Sequence, residues 1–371
     1  MWKYQDIDHI NIEISSLCNS VCAWCPRYEN MSSVVNKQLN PTYVNIDQFK
    51  QWFTPELISR VKHWTYSGDY GDACTNPDLI KIFEYTFEHN ENTSVQVNTN
   101  GGMKTPNFWQ SLGELFSKKY DNRKIIFSID GLEDTNHLYR RNVKWNKIIE
   151  NTTAYIEAGG KAEWEFLIFK HNQHQVDEVI SLAKRMNFHD IRIKYPRGFE
   201  KGNMKVRDEN FNVLYELEPI DESFIQHNYA ELNGVLAEDI QYENFKETIE
   251  KHFSEEEGDI ECFSHRSGVE IRITADGLVY PCVHFGHVSK HPRENHQVPK
   301  AQLIDIMKDK EISLKDRSLS EILEDDPYNW IYNSWKNKSC LVCWLCCGAS
   351  KDKKTIMQEI YQKENKIHGT T

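Results

Sequence analysis

The feature that most constrains this chain is a group of three cysteines near its N-terminus. Cys18, Cys22 and Cys25 are separated by three and then by two residues. Three thiolates at this spacing can bind three irons of a cubane iron–sulfur cluster, because thiolate is the ligand that such clusters take. The fourth iron then has no protein ligand and is open to chemistry. The alternatives are a zinc site or buried thiols, but no second cysteine pair and no histidine lies within the next 35 residues.

Strands and helices alternate along the first half of the chain. Short apolar segments with a period of two predict strands at 8–14, 63–67, 93–98, 124–129, 163–169 and 190–194. Six such alternations imply a parallel sheet with right-handed crossovers, which either closes into a barrel or opens into a doubly wound sheet. The first strand–helix turn carries cysteines instead of a G-x-G-x-x-G sequence, so a Rossmann nucleotide site is not indicated.

The cysteine motif, with Trp24 directly before its third cysteine, resembles that of the radical S-adenosylmethionine (SAM) superfamily. The resemblance implies an α/β fold with a partial (β/α)6 TIM-like barrel and a [4Fe–4S] cluster on Cys18, Cys22 and Cys25. In that family the open iron chelates the amino and carboxylate groups of SAM. One-electron reduction then cleaves SAM into methionine and a 5′-deoxyadenosyl radical. In such a barrel the functional residues are expected at the carboxyl ends of the strands.

Three loops at strand ends also resemble the family. Gly68-Asp-Tyr-Gly71-Asp72 stands where relatives carry a glycine-rich motif that binds the SAM amino group, with one extra residue between the glycines and Asp in place of Glu. A carboxylate facing an ammonium is sound chemistry, although these are equally ordinary turn residues. The residues that the resemblance places against SAM are Trp24, Gly71, Asp72, Thr99, Asn100, Ser128 and Asp130.

A second group of cysteines lies in the last third of the chain. Two apolar runs around Asp276-Gly277 predict a β-hairpin. Cys262-x14-Gly277-x4-Cys282 resembles the opening half of the auxiliary-cluster domain called SPASM, or its shorter form, twitch. The resemblance implies a small β-hairpin/α domain with a second [4Fe–4S] cluster. Its expected ligands are Cys262, Cys282, Cys340 and Cys343, with Cys346 or Cys347 as substitutes or as ligands of a further cluster.

Zinc is the alternative for this second group. Cys282, His284 and His287 with the Cys340-x2-Cys343 pair could form a tetrahedral Cys/His site. Cys74 stands apart from both groups and is expected to be a small core residue.

The charge of the chain is unevenly distributed. The net charge is −12, but residues 200–261 alone hold 18 acidic and 5 basic side chains. The absence of a basic stripe argues against extended nucleic-acid contacts. We therefore divide the chain into a radical SAM core (1–199), an acidic insertion or linker (200–259), a twitch/SPASM-like auxiliary domain (260–348) and a C-terminal helix (349–371).

Hydropathy favours a soluble protein. The mean hydropathy is −0.67. No run of 18 apolar residues is present, and the start of the chain lacks a signal-peptide pattern. We expect a cytoplasmic protein without membrane contact, in which the ten cysteines are reduced or bind metal.

The resemblance implies a radical SAM oxidoreductase. Its radical would abstract hydrogen from the substrate, its auxiliary cluster would accept an electron, and a flavodoxin- or ferredoxin-type protein would reduce it. The first strand begins near residue 8, which leaves no room for a preceding peptide-binding domain and favours a small molecule such as a sugar or aminocyclitol. A radical SAM peptide maturase and an inactive zinc- or cluster-binding module are the alternatives. Lys194, Tyr195 and Arg197 could hold substrate, although we expect a structural role.

Overall fold

The computed structural model describes residues 2–196, 198–199, 202–221, 224, 262, 264, 268–283, 285, 311–337 and 343. Several predictions fall outside these residues. They concern Arg197, His284, His287, Cys340, Cys346, Cys347, most of the acidic insertion and the C-terminal helix.

Six parallel strands lie side by side in chain order and form the main sheet. They are β1 (Ile7–Ile12), β2 (His63–Tyr66), β3 (Ser94–Thr99), β4 (Arg123–Ser128), β5 (Lys161–Leu167) and β6 (Asp190–Lys194). Their ends agree with the predicted strands to within two residues.

Helices connect successive strands and complete the barrel. They are α1 (Ile46–Trp52), α2 (Pro55–Arg60), α3 (Leu79–His89), α4 (Pro106–Ser117), α5 (Asn136–Tyr139), α6 (Trp145–Glu157) and α7 (Val176–Arg185). Because the strand order never reverses and parallel crossovers are right-handed, these helices cover one face of the sheet. A doubly wound sheet would have a reversal point and helices on both faces. The predicted partial (β/α)6 barrel is confirmed.

The apolar spacing of Phe49, Trp52 and Phe53 predicts one helix that Asp47 caps and that runs to about Arg60, and this prediction is wrong because the structure has two helices here. The first helix begins after Asn45, whose side chain accepts the N–H of Gln48 in a capping box. The chain then leaves helical geometry, and Thr54 caps a second helix that has Pro55 in its first turn. A residue before proline is disfavoured in the α region, which explains the break.

The two faces of the sheet differ sharply in polarity. Side chains that face the helices are large and apolar, as Val97 on β3 and Trp164 on β5 show. Side chains on the opposite, inner face are mostly polar and partly exposed, among them Gln96, Ser128 and Glu165. Closed TIM barrels fill the space enclosed by the inner face with branched apolar residues. The polar inner face therefore borders a solvent-accessible lumen.

Two further strands extend the sheet beyond β1. Strand β9 (Val269–Ile273) pairs in parallel with β1, and β10 (Val279–Tyr280) pairs antiparallel with β9. The hairpin predicted around Asp276-Gly277 is thus part of the barrel sheet. Two helices follow, α8 (Leu319–Leu323) and α9 (Asp326–Asn337), and the Tyr328 hydroxyl donates to the carbonyl of Val279 (2.9 Å).

The start of the predicted acidic insertion is a second hairpin. Strands β7 (Met204–Arg207) and β8 (Val213–Leu217) are antiparallel and form a separate two-stranded sheet. Their buried Met204, Val206 and Leu217 pack in one cluster with Cys22 and neighbouring residues. This part of the insertion is therefore not simply a solvated segment, because its alternate side chains are buried against the core.

The three N-terminal cysteines lie in a long loop between β1 and α1, the cysteine loop (residues 15–43). Its two ends are joined by a hydrogen bond from the Val44 N–H to the Ile14 carbonyl (2.9 Å). Asn76 is fully buried and donates from Nδ2 to the carbonyls of both residues, at 3.0 and 2.8 Å. This one amide therefore closes the cysteine loop.

We predict that Asn76→Ala lowers the free energy of unfolding by about 2–3 kcal/mol, because two buried carbonyls each lose one hydrogen bond. Chemical denaturation followed by circular dichroism measures the loss. Asn92→Ala changes an exposed turn residue and serves as the control, with an expected change below about 0.5 kcal/mol. Equal losses in the two variants would contradict the closing role of Asn76.

Candidate cofactor site

The cysteine loop lies across the carboxyl ends of the barrel strands. Val21–Cys22 forms a short antiparallel ladder with Arg140–Arg141, which lies between β4 and α6. Cys22 is buried, whereas Cys18 and Cys25 are partly exposed. The ladder therefore fixes the middle cysteine to the end of the barrel.

Polar hydrogens are directed at the sulfur atoms of this loop. The Ser20 N–H donates to Cys18 Sγ (3.4 Å), and the Ser20 hydroxyl lies 3.0 Å from Cys22 Sγ. Arg140 Nη1 lies 3.5 Å from Cys22 Sγ. Asn100 Nδ2 lies 3.8 Å from Cys18 Sγ. Such donors stabilise thiolates and tune the reduction potential of iron–sulfur clusters.

The pKa values of these cysteines fit a group whose positive metal ions bind thiolates. Burial raises the pKa of Cys18 above its usual range, and the neighbouring Asp72 and Cys22 raise it further. Burial likewise raises the pKa of Cys25 to about 12, with Cys22 again adding to the effect. The thiols therefore need bound iron or another cation to ionise here.

A single metal ion is the alternative to a cluster at the cysteine motif. In the part of the chain that the structure describes, no group of three His, Cys, Asp or Glu side chains is arranged to hold one ion. A cubane holds each thiolate on a different iron, whereas zinc holds all its ligands around one centre. The cluster at these cysteines stays a prediction.

Arg27, which the sequence analysis did not identify, stabilises the cysteine loop from inside. Arg27 is 6% exposed and donates to the carbonyl of Ser16 and to that of Tyr70 (3.1 Å). The Tyr28 hydroxyl donates to the Ser20 carbonyl (2.8 Å). Together these bonds join the two arms of the cysteine loop to the loop that follows β2.

Glu13, directly after β1, positions that same loop. Its Oε1 accepts the backbone N–H groups of Tyr70 (2.6 Å) and Gly71 (2.8 Å). Arg272 on β9 lies 4.0 Å from the other oxygen and donates to Asp69 (2.8 Å). Burial raises the pKa of Glu13 to about 7, while the charge of Arg272 opposes the rise.

Gly71 is required by close packing of backbone on backbone. A Cβ at this position would overlap the carbonyl oxygens of Ser15 and Leu17, at the start of the cysteine loop. The next residue, Asp72, donates its N–H to Leu17 (2.8 Å). The predicted glycine-rich motif and the cysteine loop are therefore in direct contact.

The Asp72 carboxylate is occupied by donors from its own chain. It accepts from Thr99 Oγ1 (2.9 Å), from the N–H and Nδ2 of Asn100 (2.9 and 2.8 Å) and from the Cys74 N–H (2.9 Å). These donors hold the β3 loop against the glycine-rich motif. A direct contact of Asp72 with SAM stays a prediction, and this geometry favours a positioning role.

Asp130 is likewise committed to an internal ion pair. Its Oδ2 accepts from Arg140 Nε at 2.5 Å, and its Oδ1 accepts the Leu167 N–H at 2.7 Å. Burial raises the pKa of Asp130, and Arg140 opposes the rise. Ser128, two residues earlier, is partly exposed on the inner face. Asp130 thus orients Arg140 toward Cys22, whereas Ser128 remains accessible to a ligand.

Trp24 lies under the segment that follows β6. A Cβ at Gly198 would overlap the Trp24 ring, and the φ of +103° at Gly198 also favours glycine. All seven predicted SAM contacts thus lie in the cysteine loop or at the carboxyl ends of β2, β3 and β4. Their contacts with SAM stay predictions.

No protein-family model and no curated protein matches the sequence. Solved structures do match. Streptococcus suis SuiB bound to precursor peptide SuiA aligns with a TM-score of 0.54 at 15% identity, over 93% of this chain and 72% of SuiB. SuiB bound to S-adenosylmethionine gives 0.53 at 14% identity, over 93% and 73%. The enzyme anSMEcpe with bound AdoMet gives 0.50 at 14% identity, over 92% and 85%.

The chain has the radical SAM fold. At this level of identity the similarity concerns the fold alone, and the cysteine motif lies where that fold brings strand ends together. The described helices include none that could span a lipid bilayer.

Three cysteines of the second group lie within the described part of this radical SAM fold. Cys262, Cys282 and Cys343 are each less than a tenth exposed and belong to the main core cluster. The other expected ligand, Cys340, lies outside the described residues, so the auxiliary cluster and its zinc alternative stay predictions. Cys74 is fully buried in the core, as expected for a structural thiol.

We predict that replacing Glu13 with glutamine changes the pH dependence of stability. The folded pKa of about 7 exceeds the ordinary 4.5, so the folded state binds this proton more tightly. Stability of the wild type should then fall between pH 4.5 and 7 and level off above. Measured against Glu13→Gln, the wild type loses up to about 3 kcal/mol between pH 5 and 8.

The comparison with Glu13→Gln also removes the contribution of His9. Burial lowers the pKa of His9 to about 4, which makes stability rise with pH in the opposite direction. Thermal unfolding of both proteins at pH 5 and pH 8 gives the difference. A difference that does not change with pH would contradict the raised pKa of Glu13.

We predict that Arg140→Gln lowers the free energy of unfolding by about 3–5 kcal/mol, because Asp130 is left as a buried, uncompensated charge. Adding Asp130→Asn to this variant removes that charge and should restore most of the loss. Chemical denaturation of the two single variants and the double variant measures the coupling. Strictly additive losses would show that the pair does not act as a unit.

Proposed function

We propose that the chain is a radical SAM enzyme that abstracts hydrogen from its substrate. The observation that carries this proposal is the contact between the cysteine loop and the loops after β2, β3 and β4 at one end of a singly wound barrel. The Gly71 backbone approach and the hydrogen bond between Asp72 and Leu17 make that contact. Fold similarity to SAM-bound structures adds independent support.

Each group of residues has a task in this proposal. Cys18, Cys22 and Cys25 would hold the cluster, while Ser20, Asn100 and Arg140 donate to their sulfurs. When bound, the reduced cluster supplies the electron that splits SAM into methionine and a 5′-deoxyadenosyl radical. Glu13, Asp72 and Asp130 would position the surrounding loops, and Ser128 would face SAM.

An auxiliary [4Fe–4S] cluster on Cys262, Cys282, Cys340 and Cys343 belongs to the proposal. The burial of the three described cysteines supports a site shielded from water. Such a cluster would accept the electron left on the substrate radical, which makes oxidation or dehydrogenation the expected outcome. A flavodoxin- or ferredoxin-type protein would be the reductant. A cytoplasmic location, where thiols stay reduced, would suit these cysteine ligands.

Two substrate classes are supported by different observations. The polar inner face of the barrel suits a polar small molecule. The similar structures of SuiB with precursor peptide SuiA and of anSMEcpe with the Cp18Cys peptide favour a peptide. A zinc- or cluster-binding module without activity would share the cysteines but would leave SAM intact.

The test is anaerobic reconstitution with iron and sulfide, followed by SAM and dithionite. The wild type should bind about eight irons and release 5′-deoxyadenosine. Single Cys18→Ala, Cys22→Ala and Cys25→Ala variants should lose about four irons and all 5′-deoxyadenosine. Cys74→Ala, which removes a buried thiol outside both groups, is the control and should keep both. Iron-loaded wild type that leaves SAM intact would contradict the proposed function.

A further inference from the structure

Among the polar groups of the inner face, one ion pair is open to the lumen and close to the cofactor site. Lys194 Nζ at the end of β6 lies 2.5 Å from Glu165 Oε2 on β5. The two side chains are 34% and 18% exposed. Neither has another polar side-chain partner among the described residues. The pair can therefore accept a ligand without first losing other bonds.

A second group of charged side chains includes residues two positions earlier on β5 and β6, and it differs in how fully its carboxylate is bonded. Glu163 is only 5% exposed and is bonded by both Lys124 (3.0 Å) and Arg192 (2.8 Å). Both oxygens of its carboxylate are thus bonded by side chains of the protein, and Glu163 links β4, β5 and β6. In contrast to this group, Glu165 and Lys194 keep spare hydrogen-bonding capacity within the described part of the chain.

The position of the pair places it next to the proposed SAM site. Glu165 is the register partner of Ser128 on β4, and Lys194 is the register partner of Leu167 on β5. The Leu167 N–H donates to Asp130, which holds Arg140 against Cys22. A group bound to the pair would therefore lie beside the loops at which the proposed radical forms.

We propose that Glu165 and Lys194 bind an amine- or hydroxyl-bearing group of the substrate; this inference rests on the proposed function. Glu165 can accept an N–H or O–H, and Lys194 has further N–H donors for an oxygen acceptor. An apolar ligand here would remove two ionised groups from water without replacing their hydrogen bonds, which is unfavourable. The geometry thus favours polyols, amino alcohols or equivalent polar side chains and disfavours lipids.

The experiment follows hydrogen transfer into 5′-deoxyadenosine. Cells that make the protein are grown in deuterated medium, and their extract is separated into small polar molecules, peptides and lipids. Each fraction is given to the reconstituted full chain with SAM and dithionite, and mass spectrometry measures deuterium in 5′-deoxyadenosine. We expect the label to come from the small polar or the peptide fraction, which also tells the two sources apart.

The variants Glu165→Gln and Lys194→Gln should still form 5′-deoxyadenosine but transfer at least about tenfold less deuterium, since a charged hydrogen bond to the substrate is lost. Lys194→Arg keeps the charge and should retain most of the label. Lys170→Gln and Glu218→Gln break a similar ion pair on the surface (2.8 Å) and should transfer deuterium like the wild type. Iron content and circular dichroism establish that each variant is loaded and folded.

Label arising from the lipid fraction alone, or from no fraction while 5′-deoxyadenosine is formed, would overturn the inference. So would undiminished label in both Glu165→Gln and Lys194→Gln, which would leave the pair as a link between strands. A wild type that forms no 5′-deoxyadenosine would instead overturn the proposed function, and the inference with it.

Discussion

The contact between the cysteine loop and the backbone at Gly71 is the constraint on which the rest of the site depends. The two segments approach so closely that a side chain at this position would overlap the Ser15 and Leu17 carbonyls. Arg27, Glu13 and Asn76 each bond across this junction from a different side. The junction in turn requires β2 to lie beside β1 and parallel to it, because the cysteine loop and the loop after β2 then leave neighbouring strands at the same edge of the sheet.

A high density of buried acidic groups distinguishes this edge of the barrel. The carboxylates of Asp72 and Asp130 are buried beside the cysteine motif, whose Cys22 is buried as well. Arg140 offsets part of this charge, and backbone and side-chain N–H groups offset more. Burying these acids without such partners would be costly. A cluster on three thiolates would add further negative charge, which the N–H groups directed at Cys18 and Cys22 would help to offset.

Sequence alone was sufficient for the positions of the strands, and the resemblance of the cysteine motif decided for a barrel over a doubly wound sheet. Periodicity located the six strands to within two residues, because each has one strongly apolar face. It did not separate α1 from α2, since the break depends on a cap at Thr54 as well as on apolar spacing.

The polar groups around the site could not be predicted as well from the sequence. Glu13, Arg27 and Arg140 carry no local motif, and their roles depend on partners far away along the chain, such as Tyr70 for Glu13. By contrast, Asp72 matched a motif, but only the structure showed that Thr99, Asn100 and Cys74 already occupy its carboxylate.

The cluster proposed on the cysteine loop is tested most directly by electron paramagnetic resonance. The sample is the reduced, reconstituted chain in which Cys262, Cys282 and Cys343 are replaced by alanine. These changes remove three of the four expected auxiliary ligands and leave the cysteine loop intact. The proposed site should give a [4Fe–4S]⁺ signal whose shape changes when SAM is added, because SAM would bind the iron that has no protein ligand. A cluster signal that SAM leaves unchanged, or a well-folded variant that holds no iron, would contradict it.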